Sequence, residues 1–146
     1  MNIPGIAKVE FIEERYITIP LISDPSIPIS LEGTTIHNWE TLEAFPGSVG
    51  LASSGKDSKA GIYFTINMNG FIPGINTTSL QLLTRLFQRK HIYKVTDVNG
   101  QKYLIGNNEF RPKFEYASGN GPAPTGKRGY SFKITLKSPF DLLFIE

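Results

Sequence analysis

The fold is decided by residues 92–136, which include IYKVTDVNGQKYLIG, then FRPKFEYASGNGPAPTGKRG and finally YSFKITL. Apolar and polar residues alternate on both sides of the pair Asn99-Gly100. An Asn-Gly pair between alternating runs favours a type I′ hairpin turn, in which both central residues have positive φ. The stretch therefore predicts paired antiparallel strands, with an exposed loop at 117–128.

Two segments alternate with period two in the way that is typical of a half-buried strand. They are residues 60–70, with Ile62, Phe64, Ile66 and Met68 on one face, and residues 129–137, with Tyr130, Phe132, Ile134 and Leu136 on one face.

One helix is predicted, over about residues 79–90. Thr77, Thr78 or Ser79 can cap its N-terminus by accepting a backbone N–H bond. An apolar stripe with spacings of three and four residues is expected to pack on a sheet. This stripe consists of Leu80, Leu83, Leu86 and Phe87.

The first third of the chain is rich in proline. Because proline cannot donate a hydrogen bond to a strand ladder, residues 1–34 are predicted to form an extended arm or edge strands and not central strands. The Gly/Ser/Lys-rich segment 47–59 is predicted to be an exposed, mobile loop. Together these segments indicate one domain, 1–146, of the α+β class. It is expected to be mainly an antiparallel β-sandwich or barrel, whose β-rich core, residues 35–146, has one flanking helix.

Composition narrows the function classes. The chain has 146 residues and no cysteine, which excludes disulfides, thiolate metal sites and a cysteine nucleophile. No apolar run approaches the roughly 18 residues that span a bilayer. The first residues also lack the basic and then apolar order of a signal peptide. We therefore expect a soluble intracellular protein.

The search for reactive groups predicts no enzyme, no cofactor and no metal site. The two histidines, His37 and His91, have no metal ligand within helical or hairpin reach. The carboxylate pairs Glu13/Glu14 and Glu40/Glu43 could support acid–base chemistry only if burial shifted their pKa values. The near-match to a phosphate loop in residues 121–128 lacks the hydroxyl after its lysine and is followed by a strand, so it is not expected to bind phosphate.

Charge is divided unevenly along the chain. Residues 1–78 contain four Lys or Arg and eight Asp or Glu, a net charge of −4, whereas residues 79–146 contain eleven and five, a net charge of +6. Such asymmetry can indicate a nucleic-acid surface, or a subunit whose acidic face meets the basic face of its neighbour.

The nucleic-acid interpretation depends on cations and aromatic residues that interleave on adjacent strands. A stacking platform beside a positive groove is how oligonucleotide-binding (OB) folds hold single strands. Period-two counting, however, predicts that the aromatic residues face the core and the lysines face solvent. The residues concerned are Arg111, Lys113, Phe114, Tyr116, Lys127, Arg128, Tyr130 and Lys133.

The end of the chain, residues 138–146, carries an apolar run. Leaving it in water would be unfavourable by several kcal/mol at about 25 cal/mol per Å² of apolar area. It is therefore expected to be buried, within the fold or against a neighbouring subunit. The run consists of Phe140, Leu142, Leu143, Phe144 and Ile145.

The order of these patterns resembles small structural proteins of tailed bacteriophages, in particular tail and neck components. The resemblance lies in the Asn-Gly hairpin, the strand end Tyr103–Gly106, the strand Phe110–Tyr116 and the strand Tyr130–Leu136. It implies a tail-tube-like fold and a non-enzymatic subunit without cofactor or small-molecule substrate. Such a subunit would form a ring or tube in the virion after assembly in the bacterial host cytoplasm.

The resemblance also implies partners and contact residues. The partners would be further copies of the chain and other tail or neck proteins, with nucleic acid only as the passing genome. The arm 1–34, the loops 47–59 and 117–128 and the tail 138–146 would make the contacts. The predicted interface residues are Arg111, Lys127, Arg128, Phe140, Leu143 and Phe144. The alternative function is an OB-like module that binds single-stranded nucleic acid.

Overall fold

Two antiparallel sheets and one helix make up the fold. The computed structural model describes residues 2–3, 5–19, 28, 38–44, 48–59, 61–74, 77–120, 128–140 and 142–145. Sheet 1 contains β1 (Asn2–Ile3), β4 (Gly50–Ser58), β5 (Gly61–Pro73), β8 (Lys113–Asn120) and β9 (Arg128–Ser138), in the order β1-β4-β5-β9-β8. Sheet 2 contains β2 (Ile6–Glu13), β3 (Glu40–Leu42), β6 (His91–Asp97), β7 (Lys102–Ile105) and β10 (Leu143–Ile145), in the order β10-β7-β6-β2-β3. The helix α1 (Thr77–Gln88) connects β5 to β6, and a 3₁₀ turn (Glu14–Tyr16) follows β2. The predicted α+β fold, mainly antiparallel with one helix, is confirmed.

Sheet 2 is covered on both of its faces. One apolar cluster contains buried residues of both sheets together with Leu83 and Leu86 of α1, and it is the main core. Because successive side chains of a strand point to opposite faces, the alternate residues of sheet 2 form a second cluster. Ile17 and Ile19, which follow β2, pack into this second cluster beside Ile92. Burial on both faces explains why β6 is apolar at neighbouring positions.

The β6–β7 hairpin forms where it was predicted, but its turn is of another type. Gly100 N–H donates to the Asp97 carbonyl at 3.1 Å, and Asp97 N–H donates to the Gln101 carbonyl at 3.0 Å. Gly100 has φ of +85°, whereas Asn99 does not have positive φ, so the type I′ prediction is wrong. A three-residue loop with glycine in the left-handed region fits instead, as in a turn followed by a bulge. The buried Asp97 carboxylate stabilises it by accepting hydrogen bonds from the N–H groups of Asn99 and Gln101.

The N-terminal region fits the prediction of an arm or edge strands only in part, because β1 is the edge strand of sheet 1 but β2 does not lie at an edge. β2 pairs with β6 on one side over its whole length and with the short β3 on the other, so it is an interior strand. The prediction failed because the prolines lie outside residues 6–13, which can all donate to the ladder. The remaining part of the arm, 20–34, lies outside the described residues except for Pro28.

Two predicted loops and the predicted helix have other boundaries in the structure. Segment 47–59 is not a loop, since β4 occupies most of it and pairs with β5. The loop predicted at 117–128 is shorter, because β8 continues to Asn120 and β9 begins at Arg128, and residues 121–127 lie outside the described part. The helix begins at Thr77, so the predicted cap residues Thr77, Thr78 and Ser79 lie inside the helix. The N-cap position itself, residue 76, lies outside the described residues. Of the predicted stripe, Leu83 and Leu86 are buried, but Leu80 and Phe87 are exposed, although Phe87 packs edge-on against Tyr116 of β8 with ring centroids 6.0 Å apart.

Candidate functional site

The β4–β5 hairpin extends beyond the sheet to which it belongs. β9 pairs with β5 from Phe64 onwards, so residues 61–63 of β5 pair only with β4. We call residues 54–59 and 61–63 the outer ribbon. At about 3.3 Å per residue, it reaches roughly 10 Å past the last pair with β9. Residues 54–59 are all exposed, and Ile62 is 65% exposed.

Sheet 1 has an unpaired strand edge on each side within the described residues. β1 pairs only with Leu51 and Ala52, so no described strand pairs with that side of β4 from Ser54 to Asp57. On the opposite side β8 pairs only with β9. Unpaired edges expose rows of N–H and C=O groups and are templates for pairing with another strand. Gly55 leaves room for the ring of Phe64, which lies directly opposite it on β5.

The described residues of the predicted interface contact other parts of the same chain. Arg111 Nη2 lies 3.5 Å from Glu14 Oε1 of the same chain. Leu143 is buried in the second cluster, and Phe144 packs on Tyr103 with ring centroids 5.4 Å apart. Phe140 is half-buried against Phe110. Lys127 lies outside the described residues, and Arg128 is described only as the first residue of β9. The apolar run at the end of the chain is therefore buried by the chain itself.

Ion pairs within the chain join acidic residues of its first part to cations of its second part, and they account for much of the charge asymmetry. Acidic residues of the first part pair with cations of the second part, because β2 and β6 lie side by side and α1 leads into β6. The pairs are Glu10–Lys94 at 3.6 Å, Glu13–Arg89 at 3.4 Å, Glu14–Arg111 at 3.5 Å and Glu40–Arg85 at 2.6 Å. The expectation that Arg111 meets an acidic group of a neighbouring subunit is accordingly met by Glu14 inside this chain.

The aromatic residues of the nucleic-acid alternative face the core. Phe114, Tyr130 and Phe132 are buried, and Phe114 stacks on Phe132 with ring centroids 6.1 Å apart. Lys113 and Lys133 are exposed, as period-two counting predicted. Buried rings cannot stack on bases, so these three residues do not form the platform that an OB-like module needs.

A cleft lies where β2 ends, β6 begins and β3 runs alongside. Its volume is about 410 Å³. Sheet register assembles it, since Glu13 is directly opposite His91 and Glu40 is directly opposite Phe11. The helix contributes Arg85. The lining residues are Ile12, Glu13, Tyr16, Asn38, Trp39, Glu40, Arg85 and His91.

His91 is held in one tautomer within this cleft. Its Nδ1 lies 3.1 Å from the carbonyl oxygen of Arg89. Because a carbonyl only accepts, Nδ1 carries the proton and Nε2 has the lone pair. The ring packs edge-on against Phe11, with centroids 5.6 Å apart. Burial lowers the pKa of His91 below its ordinary value of 6.5, although the Arg89 carbonyl and the Glu13 carboxylate oppose that shift.

Glu13 and Glu40 differ in how firmly they are bound. Glu40 Oε2 accepts a short contact of 2.6 Å from Arg85 Nη2. All contacts of the Glu13 carboxylate with Arg15 and Arg89 fall between 3.3 and 3.5 Å. Charge-assisted hydrogen bonds of this kind are ordinarily about 2.7–2.9 Å long. Glu13 is therefore a carboxylate only 16% exposed that has no short partner among the described residues.

Sequence reasoning did not find this cleft. It considered Glu13 with Glu14 and Glu40 with Glu43, but the structure brings together Glu13, Glu40 and His91. The signal was non-local, since only the register of β2 between β6 and β3 places these residues side by side. Within the described residues, no group of three or more His, Cys, Asp and Glu side chains could hold a metal ion.

Comparison with known proteins gives no relative, as no family model, curated protein or solved structure matches this chain. In the part of the chain that the structure describes, no helix has both the length and the apolar character needed to cross a membrane.

Proposed function

We propose that this protein is a non-enzymatic structural subunit that assembles into a ring or tube, as in the tail or neck of a tailed bacteriophage. The outer ribbon is the observation that carries the proposal. It is a hairpin that leaves its own sheet and exposes Ile62 at its end. A large apolar side chain on a projecting, paired ribbon is suited to insertion against a neighbouring subunit.

The edges of sheet 1 suggest how copies could join. The free edge of β4 lies on one side of the sheet and the free edge of β8 lies on the other. Pairing of β4 in one copy with β8 in the next would be a heterologous contact by strand addition. Heterologous contacts that close by rotation generate rings. The resemblance to tail and neck proteins supports the same direction, and it supplies the virion as the proposed location.

The test is the mass in solution, measured by light scattering after size separation over a range of protein concentrations. We expect the unaltered chain to form discrete large species, and negative-stain images to show rings or tubes. Ile62→Asp should return the protein to monomers, because it places a charge at the end of the outer ribbon. Val98→Asp is the matched control, since Val98 is 63% exposed on the β6–β7 turn, outside the outer ribbon.

Two results would overturn the proposal. One is a monomer at every concentration, both alone and with the other tail proteins of the same virus. The other is an unchanged assembly after Ile62→Asp together with Lys113→Pro, a second change that removes an N–H from the edge strand β8. The folded state of each variant is checked by circular dichroism, so that loss of assembly is not confused with unfolding.

A further inference from the structure

The cleft at the end of sheet 2 has features beyond those of a packing defect. Its volume of about 410 Å³ lies in the range, roughly 300–1,000 Å³, that small-molecule sites occupy. It combines apolar and aromatic walls with a few converging polar groups. That combination is the ordinary composition of a ligand site.

The polar groups available in the cleft are acceptors. The Nε2 lone pair of His91 is one, because the proton is fixed on Nδ1 by the Arg89 carbonyl. The Glu13 carboxylate is another, since its contacts with arginines are all 3.3 Å or longer. An ionised carboxylate can accept about four hydrogen bonds. A donor placed between Glu13 and His91 would therefore meet two acceptors at once.

The charges favour a cation over an anion. The only cation that lines the cleft, among the described residues, is Arg85, and Glu40 neutralises it at 2.6 Å. Arg15 and Arg89 approach Glu13 from outside the lining, with more than half of each side chain exposed. At the Glu13 carboxylate an ammonium group would compete with these two exposed arginines, whose solvent-screened ion pairs are weak, whereas an anion inside the cleft would face two carboxylates.

Two aromatic side chains line the cleft. Lys94 Nζ lies 4.7 Å from the centre of the Trp39 ring, and Arg15 Cζ lies 4.7 Å from the centre of the Tyr16 ring. One face of each ring is therefore occupied by a cation of the chain, and the rings serve here as apolar walls of the cleft. The Ile12 side chain adds an apolar wall for the alkyl part of a ligand.

We propose that this cleft is a binding site for an alkylammonium group, with the Glu13 carboxylate as counter-ion and His91 Nε2 as second acceptor. The group could belong to a free amine or to a lysine side chain of a second copy. The inference stands on the cleft alone and does not depend on assembly into rings.

Trp39 makes the proposal directly testable, because it is the only tryptophan of the chain and it lines the cleft. Its fluorescence is followed while n-butylammonium chloride is added at constant ionic strength, with sodium chloride making up the difference. We expect a saturable change. n-Butanol, which has the same alkyl chain without the charge, should give no saturable change.

Two variants separate the site from a general charge effect. Glu13→Gln should weaken n-butylammonium binding at least tenfold. Glu43→Gln removes the same charge from an exposed residue that does not line the cleft, and it should leave binding unchanged. Equal responses to the amine and the alcohol, or unchanged binding by Glu13→Gln, would overturn the proposal.

A second measurement uses the unaltered protein, in case Glu13→Gln does not fold. The ¹⁵N signal of His91 Nε2 should shift along the same saturation curve as the fluorescence, because that atom accepts a hydrogen bond from the ligand. A signal that stays fixed while Trp39 responds contradicts the proposed geometry.

Variants of the exposed lysines in the outer ribbon distinguish the two sources of the ammonium group. If a second copy supplies it, Trp39 emission should change with protein concentration, and Lys56→Ala with Lys59→Ala should abolish that change. Emission that is independent of protein concentration, with n-butylammonium still bound, assigns the site to a free amine.

Discussion

Strand β5 has two parts that share one alternating sequence pattern but differ in the strands that pair with them. Its inner part, from Phe64 to Pro73, pairs with β9, and its outer part, 61–63, does not. The same alternation runs through both, yet Ile66 is 2% exposed and Ile62 is 65% exposed. Local sequence thus specifies the strand, whereas its neighbours decide whether a side chain is buried. Residues 61–63 are the part of β5 that β9 does not pair with.

The sharpest way to measure that difference is to make the same change in both regions. Ile66→Ala should lower the free energy of unfolding by about 2–5 kcal/mol, because it removes buried methyl groups and leaves a cavity in the main core. Ile62→Ala should change it by no more than about 0.5 kcal/mol, as is usual for exposed positions. Urea unfolding of both variants provides the comparison.

The experiment also has an outcome that would contradict the distinction. If Ile62→Ala destabilised the protein as much as Ile66→Ala at a concentration where the protein is monomeric, the outer ribbon would have to be packed within its own chain. If the loss appeared only at concentrations where the protein assembles, it would instead measure the contact between subunits.

The segment that follows β2 provides a polar counterpart to the outer ribbon. Residues 17–19 lie beyond the long strands, yet the side chain of Asn108 ties them down. Its Oδ1 accepts from Ile19 N–H at 2.8 Å, and its Nδ2 donates to the Ile17 carbonyl at 3.0 Å and to Glu14 Oε1 at 3.1 Å. The side chain of a residue from a distant loop thereby holds residues 17–19 in place.

Asn108→Ala should therefore lower the free energy of unfolding by about 1–3 kcal/mol, since it leaves partly buried backbone groups without partners. Hydrogen exchange of the Ile19 amide should become faster by a larger factor than exchange in β6. Asn99→Ala, which removes the same side chain from an exposed turn position, should cost less. Equal losses in the two variants would mean that Asn108 does not hold the segment.

These two regions also show what the sequence can predict. The hairpin over Ile92–Ile105, the strands around Ile66 and Phe132 and the single helix follow from short-range periodicity and turn residues. The interior position of β2 did not follow, because the prolines that flank it indicate an edge, whereas the run from Ile6 to Glu13 contains no proline and keeps every N–H for the ladder. Periodicity shows that a strand has an apolar face but does not show which strand lies beside it.

The cleft was out of reach for the same reason. Glu13, Glu40 and His91 come from three strands that are far apart in sequence, and only their register brings them together. The interpretation of the charge asymmetry failed for the same reason. It indicated complementary surfaces on neighbouring molecules, but β2 and β6 pair within one chain, so Glu10 and Lys94 meet within that chain.

The pH dependence of stability is the smallest effect expected, and it reports on the cleft and not on the outer ribbon. Burial lowers the pKa of His91, against the opposing effect of Glu13 and with a further lowering by Arg85. As pH falls through 6.5, the unfolded chain binds a proton at this histidine that the folded protein does not bind. Stability should therefore fall as pH drops from 7, by at most about 1.4 kcal/mol per pH unit for one proton, and this contribution should level off below the folded-state pKa. His91→Gln should flatten that slope, whereas His37→Gln should keep it. If His37→Gln removed the slope and His91→Gln retained it, the pH dependence of stability would not come from the cleft.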